Sequence, residues 1–210
     1  MTIVKVNNLS SSDNGLIKLG SLNVASGSAG TSAVKLDGVF SSTYDQYQIY
    51  FDLRSSGNTS ASTCLGVIFG NGGTLHSGTK QVRGSSFNKH FGSNAAGSQY
   101  YSSNNNVHQV MGSGASEPLN YSGSMVIHYP NSSTHPTVVN AMGTMWYGSA
   151  ELSKWSEYGS SSEDVGDILQ STDIKLCMIK DTSSTQAGNV TQSSTQYAVY
   201  GNLQVFGIPK

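Results

Sequence analysis

The chain has 210 residues, enough for one large β-sandwich or a sandwich plus a short arm. Lys+Arg number 11 against Asp+Glu 12, for a formal net charge of -1, so there is no basic field to neutralise a phosphate backbone and nucleic acid is excluded as a ligand. Charged residues make up only 11%, against about a quarter in ordinary globular proteins, while hydrophobic residues make up 36%. The surface must therefore be covered by Ser, Thr, Asn, Gln and Gly, whose hydroxyls and amides hydrogen-bond at short range without long-range repulsion. Such a surface suits close packing of subunits or contact with sugars. The 11 Tyr, 6 Phe and 2 Trp supply the apolar area that disordered chains lack.

Taken in chain order, residues 1–33 form a separate zone in which two short apolar runs at 3–6 and 16–24 lead into ASGSAGTS, a flexible hinge by composition. This reads as a short extended N-terminal arm that either adds to a neighbour's sheet or completes the sandwich of its own chain. The opening MTIVKVNNLSSSDNG has no basic region followed by a long apolar stretch, and no apolar run approaches membrane-spanning length. The expectation is synthesis in a cytoplasm, with exposure outside the cell reached through assembly or lysis.

Residues 34–210 read as one sandwich domain. QYQIYFDLR, Gln46 to Arg54, places Tyr47, Ile49, Phe51 and Leu53 on one face and Gln48, Tyr50, Asp52 and Arg54 on the other. The same period of two recurs at Met125, Ile127 and Tyr129, at Ile174, Leu176 and Met178, and at Tyr197, Val199, Leu203 and Val205. Further strands are expected at 3–6, 16–24, 65–69, 107–111 and 138–147. Turn signals lie between them at Asp13-Asn14-Gly15, Ser56-Gly57-Asn58, Gly70-Asn71-Gly72-Gly73 and Gly188-Asn189. Only AELSKWSEY, residues 150–158, combines helix formers with a 3.6-residue spacing, and it is about two turns long. Helix-strand alternation is lacking, which excludes doubly wound and barrel enzymes. The segment 78–106 is polar but keeps Phe87, Phe91, Tyr100 and Tyr101, and reads either as a binding or inter-subunit loop or as a plain surface excursion.

Catalytic chemistry finds no constellation to work with. Of His76, His90, His108, His128 and His135, three (His76, His90 and His135) fall in Gly/Ser/Pro-rich stretches and His128 projects from a strand opposite Met125 and Ile127, so the five read as surface or interface histidines. Asp45 and Asp52 are seven positions apart and face opposite sides of a strand, which argues against a glycosidase pair. The acidic run Glu163, Asp164, Asp167 lacks calcium-loop spacing, and phosphate-cradling and dinucleotide motifs are missing from the required contexts. Cys64 and Cys177 each sit in an apolar run, CLGVIF and IKLCMI, and read as two buried thiols or as one disulfide between facing strands; no zinc spacing is present. No cofactor, metal site or catalytic residue is expected. The positive candidates are aromatic residues beside polar neighbours, Phe87, Phe91, Tyr100, Tyr101, Trp155 and Tyr158, as a surface for stacking on sugars or on another protein.

Three phrases carry a resemblance. LDGVFSSTYDQYQIYF at 36–51, SGSMVIHYPNSSTHPTV at 122–138 and the terminal YAVYGNLQVFGI at 197–208 resemble small structural, tail-fibre-associated or head-decoration proteins of tailed bacteriophages, marine and cyanobacterial ones in particular. The resemblance covers residues 34–210, apart from the 78–106 insertion. It implies an antiparallel jelly-roll-like β-sandwich, no enzymatic activity, and a place on the virion surface, often as a homotrimer docked to other virion proteins. Within it, Asp37 and Gly38 make the tight turn into the strand begun by Tyr44 to Tyr47. No heptad, collagen-like or shaft repeat is present, so the chain is not itself a long fibre. The alternative is a carbohydrate-binding module or adhesin, which overlaps with the first if the particle binds a host surface glycan.

Overall fold

The computed structural model describes residues 15–30, 34–55, 63–76, 82–91, 94–101, 107–114, 119–147, 154–163, 168–180 and 196–210. The strands are β1 Ile17–Val24, β2 Lys35–Leu36, β3 Gln46–Ser55, β4 Thr63–Asn71, β5 Thr74–Leu75, β6 Val82–Phe91 and β7 Asn94–Tyr101. They continue as β8 His108–Gly114, β9 Leu119–His128, β10 Val138–Tyr147, β11 Lys154–Glu163, β12 Asp173–Lys180, β13 Gln196–Tyr197 and β14 Val199–Ile208. The only helical element among the described residues is the 3-10 turn Ser26–Ser28. The protein is an all-β sandwich of two antiparallel sheets.

The larger sheet has eight strands in the order β1-β14-β3-β9-β10-β11-β6-β7. The smaller runs β13-β12-β4-β5, with β2 also pairing β12 and β8 also pairing β4. Four of these pairings are nested in the chain: β1 with β14, β2 with β12, β3 with β9, and β4 with β8. The outer pair encloses the next, and so on inward, while successive pairs alternate between the two sheets. The strands β5 to β7, β10 to β11 and β13 are inserted into this nest.

Alternation in β3 becomes a buried face. Tyr47, Ile49 and Leu53 are fully enclosed and Phe51 nearly so, against Tyr121, Met125 and Ile127 of β9 and Val199, Leu203 and Val205 of β14. Ile174, Leu176 and Met178 of β12 and Leu65, Val67 and Phe69 of β4 close the core from the facing sheet. Each enclosed aliphatic side chain contributes about 1.5–3 kcal/mol relative to an exposed one. The smaller sheet is buried on its second face as well: Ile68 and Cys177 pack with Val107 and Leu75. Two-sided burial explains why β4 reads as a nearly unbroken apolar run and why Cys177 stands between the alternating Leu176 and Met178 of β12.

Of the two arrangements open to the N-terminal zone, residues 17–24 take the second: they form the edge strand β1 against β14 of their own sheet, and the stretch after it contains the Ser26–Ser28 turn and a bridge from Gly30 to Val199. The structure departs from the sequence expectations in three places. The expected helix over 150–158 is replaced from Lys154 onward by β11, paired along its length with β10 and β6. Two-sided pairing outweighs the helix propensity of so short a segment. Most of the expected long loop 78–106 is the hairpin β6–β7. Tyr129 leaves the ladder after His128 and takes a left-handed backbone, φ 58°. The expected strand at 3–6, most of the Asp13-Asn14-Gly15 turn and the turns at 56–58 and 188–189 lie outside the described residues.

Candidate functional site

At one end of the sandwich, the approach to β3, the loop from β9 to β10, the run into β12 and the residues after β14 converge. They enclose a cleft of about 240 Å³ lined by Ser42, Tyr44, Asp45, Tyr129, Asn131, Ser132, Ser133, Gln170 and Lys210. The walls are held by backbone hydrogen bonds between distant segments. The Tyr129 N–H donates to the Asp45 carbonyl at 2.7 Å, and the Ser171 N–H donates to the Pro130 carbonyl at 2.8 Å. The Asn131 side-chain amide donates to the Ser171 carbonyl at 2.9 Å.

Both rings of the cleft are fixed from behind. Tyr44 lies over Gly207 so closely that a Cβ there would come to 2.9 Å from three atoms of the ring. Its edge meets Tyr47 at a centroid distance of 5.9 Å. Tyr129 stacks on His135 at 4.8 Å and 26°. Its left-handed backbone is costly for a bulky residue, and costlier before Pro130, since a following proline narrows the allowed conformations. The chain beyond it closes a turn in which the Ser132 N–H donates to the Tyr129 carbonyl and the Ser132 hydroxyl accepts from the N–H groups of Thr134 and His135.

Charge in the cleft is balanced. The Lys210 ammonium lies 3.0 Å from the Asp45 carboxylate, both partly exposed. Such a pair contributes little stability, but it leaves a wall of opposite, neighbouring charges and neutral amides and hydroxyls. Asp45 lies just before β3 and Asp52 lies near the middle of that strand, on the outer sheet face beside Arg54, Asn120, Ser122 and Thr144 in a second hollow of about 330 Å³. At about 3.3 Å per residue the two acids are separated by roughly 20 Å, beyond the reach of a two-carboxylate mechanism.

Beside the cleft, Asp173 ties three loops together without lining it. Its carboxylate accepts from the Gly38 N–H at 2.9 Å, the Gly73 N–H at 2.7 Å and the Thr172 hydroxyl at 2.8 Å. Burial alone raises its pKa; the bonds from Gly38, Thr172 and Gly73 and the charge of Lys35 outweigh this and hold it below the ordinary value. His76 Nε2 lies 3.0 Å from the Ser171 hydroxyl, and burial lowers its pKa against a smaller opposing pull from Asp173. His108, in contrast, is a core residue set edge-on to Phe69 at 5.0 Å, and burial lowers its pKa to about 3. Cys177 is a free thiol donating to the Gly66 carbonyl at 3.4 Å, with its pKa raised by burial to about 12. It is an inert core group, not half of a disulfide.

The six aromatic candidates fall on strands. Phe87 and Phe91 are on β6, Tyr100 and Tyr101 on β7, and Trp155 and Tyr158 on β11, at the far end of the larger sheet from β1. Register pairs Trp155 with Phe91 and places Phe87 opposite Gly159, which in turn faces Ala141. Tyr158 pairs with Met142, the most exposed of the large apolar side chains described. The described residues that line the cleft come from other elements. Sequence reasoning passed over Tyr44, Tyr129, Asn131 and Gln170; the phrase YPNSS carried a signal, an aromatic residue in a turn dense with hydrogen-bonding side chains, but Asp45 and Gln170 reach it only through the fold. No cluster of three metal-ligating side chains occurs among the described residues, and Asp164 and Asp167 lie outside them. Among the described residues, no helix is long and apolar enough to cross a membrane. Comparison with protein families, with curated proteins and with solved structures returned no match.

Proposed function

We propose that this chain is a non-enzymatic structural protein on the surface of a tailed-phage particle, as a head decoration or short tail appendage, built as a jelly roll and docked as a homotrimer to other virion proteins. The nested pairing of β1 with β14, β2 with β12, β3 with β9 and β4 with β8 is the observation that carries this reading. A long hairpin of four such pairs, rolled so that successive pairs fall in alternate sheets, is how a chain makes the two Greek keys of a jelly roll, an architecture common among capsid proteins and lectins. The outer face of the larger sheet adds support. Its described positions include Gln48, Asn202, Ser122, Ser124 and Thr144, with Tyr50 and Met142 exposed among them and Asp52 and Arg54 as charges. Neutral polar groups on a broad sheet pack against a neighbour without a large desolvation cost. Mass spectrometry and immunogold labelling of purified particles test the reading: the chain is expected at many copies per particle, and its absence from clean particles overturns it. Light scattering of the purified protein is expected to give three times the chain mass.

The end cleft favours a second reading, an adhesin or carbohydrate-binding module, because half-buried rings beside amides and hydroxyls recur in saccharide sites. The two readings are compatible in a particle protein that binds the host surface.

A further inference from the structure

We infer that the cleft between Tyr44 and Tyr129 is a binding site for one neutral pyranose unit of a glycan. This deepens the host-binding part of the proposed function, but it stands on the cleft and not on where the protein resides. Size comes first. At about 240 Å³ the cleft equals the share of roughly eight waters, below the roughly 300–1,000 Å³ typical of drug-sized ligands. That is the scale of a single sugar ring.

The lining matches the two surfaces of a sugar. A pyranose presents a patch of C–H groups on its faces and hydroxyls around its rim, and it is held by an aromatic ring against the first and by amides and carboxylates against the second. Tyr44 and Tyr129 both line the cleft, whereas Gly207 and His135, which cover one side of each ring, do not. The sides of the rings turned away from those supports therefore bound the cleft. Asn131 uses an amide N–H on Ser171 and keeps its amide oxygen for a ligand, Gln170 is exposed at the rim, and Asp45 offers carboxylate oxygens that Lys210 neutralises. Balanced charge disfavours phosphate, sialic acid and cationic ligands alike. A neutral sugar loses nothing to it.

The cleft is also set before a ligand arrives. Tyr129 is held in a left-handed conformation by the bond from its N–H to Asp45 and by the stack on His135, and Tyr44 is seated on a glycine that admits no side chain. A strained bulky residue maintained by its surroundings is a feature of binding sites, and fixed rings lower the entropy cost of holding a weakly bound sugar.

The test uses the full-length protein with the methyl pyranosides of glucose, galactose, mannose and N-acetylglucosamine as probes, read by saturation-transfer NMR and then by titration. At least one is expected to bind and to perturb the Tyr129 and Tyr44 ring signals. Tyr129→Ala and Tyr44→Ala should each weaken it by about tenfold or more, the scale of a lost stacking contact. Gln170→Ala, at an exposed position, leaves folding intact and should weaken binding by roughly threefold or more, the loss of one hydrogen bond. Asp52→Asn, on the outer sheet face, should leave binding unchanged. Binding by none of the four sugars, binding unaffected by Gln170→Ala and Tyr129→Ala in folded protein, or a preference for sialylated over neutral glycans overturns the assignment. Particle composition is measured separately, so failure here leaves the virion reading standing, and absence from particles leaves the cleft standing.

Discussion

Individual side chains in this protein do their work by clasping loops onto the strands beside them, from near and from far in the sequence. Tyr47 is fully buried, yet its hydroxyl donates to the Ser41 carbonyl at 2.7 Å and accepts from the Ser41 N–H at 2.8 Å, clasping the approach to β3. Tyr47→Phe keeps the ring and strands both backbone groups, so a loss of about 1–3 kcal/mol is expected in urea unfolding. Asp173 clasps more: Asp173→Asn exchanges a charged acceptor of three hydrogen bonds for a neutral one and is expected to cost about 2–4 kcal/mol. The sign of its pH dependence follows from its lowered pKa. Its contribution is complete above the ordinary carboxylate value and is lost as pH falls through the lowered one, so the asparagine variant should show a shallower acid limb. Tyr129 is the converse case, a residue whose backbone works against stability. Tyr129→Gly relieves the left-handed strain while removing the ring, and a net stability change within about 1 kcal/mol is expected alongside loss of saccharide binding.

At the level of strands, two partners decide what local preference leaves open. β14 lies between β1 and β3, and its Gly201 sits at φ 129° with Cα against the Asp52 carbonyl of β3. A methyl group there overlaps that backbone oxygen, and the conformation itself admits glycine almost alone. Gly201→Ala is therefore expected to cost at least about 2 kcal/mol, and hydrogen exchange should rise at the β3–β14 ladder before it rises at β4–β12. The same logic explains β11. AELSKWSEY has the composition of a short helix, but the segment from Lys154 can satisfy its backbone in two ladders at once, with β10 and β6. Two turns of helix leave most of their N–H and C=O groups unsatisfied.

For the whole molecule, a core histidine sets the response to acid. His108 is neutral in the folded protein down to about pH 3, whereas an unfolded histidine takes up its proton near about pH 6.5. Between those values the unfolded chain binds more protons, so stability is level above the upper value and falls as pH drops through the window, by a few kcal/mol at most. Thermal unfolding from pH 7 to 4 is expected to show a falling midpoint, and His108→Phe to flatten it. If the neutral outer sheet face is the docking surface, Ser124→Lys, between Tyr50 and Met142 in register, should leave the monomer folded and abolish incorporation into particles.

Much of the sandwich was legible in the chain, because a strand with one buried face must alternate. The periods at Tyr47 to Leu53 and Ile174 to Met178 match the residues that the core encloses. The glycine-rich turn at Gly70-Asn71-Gly72-Gly73 marks its position through a conformation few other residues adopt, with Gly72 and Gly73 at positive φ. By itself, then, the sequence determined an all-β chain with a neutral surface and fixed which faces point inward, since both follow from composition and from neighbours two residues apart. Tertiary structure alone decided that β1 pairs its own chain, that β6 and β7 pair as strands where a loop was expected, and that Asp45, Tyr129 and Gln170 share one cleft. Those are pairings between residues tens of positions apart, and no local energy records which distant partner a strand edge or a loop will meet.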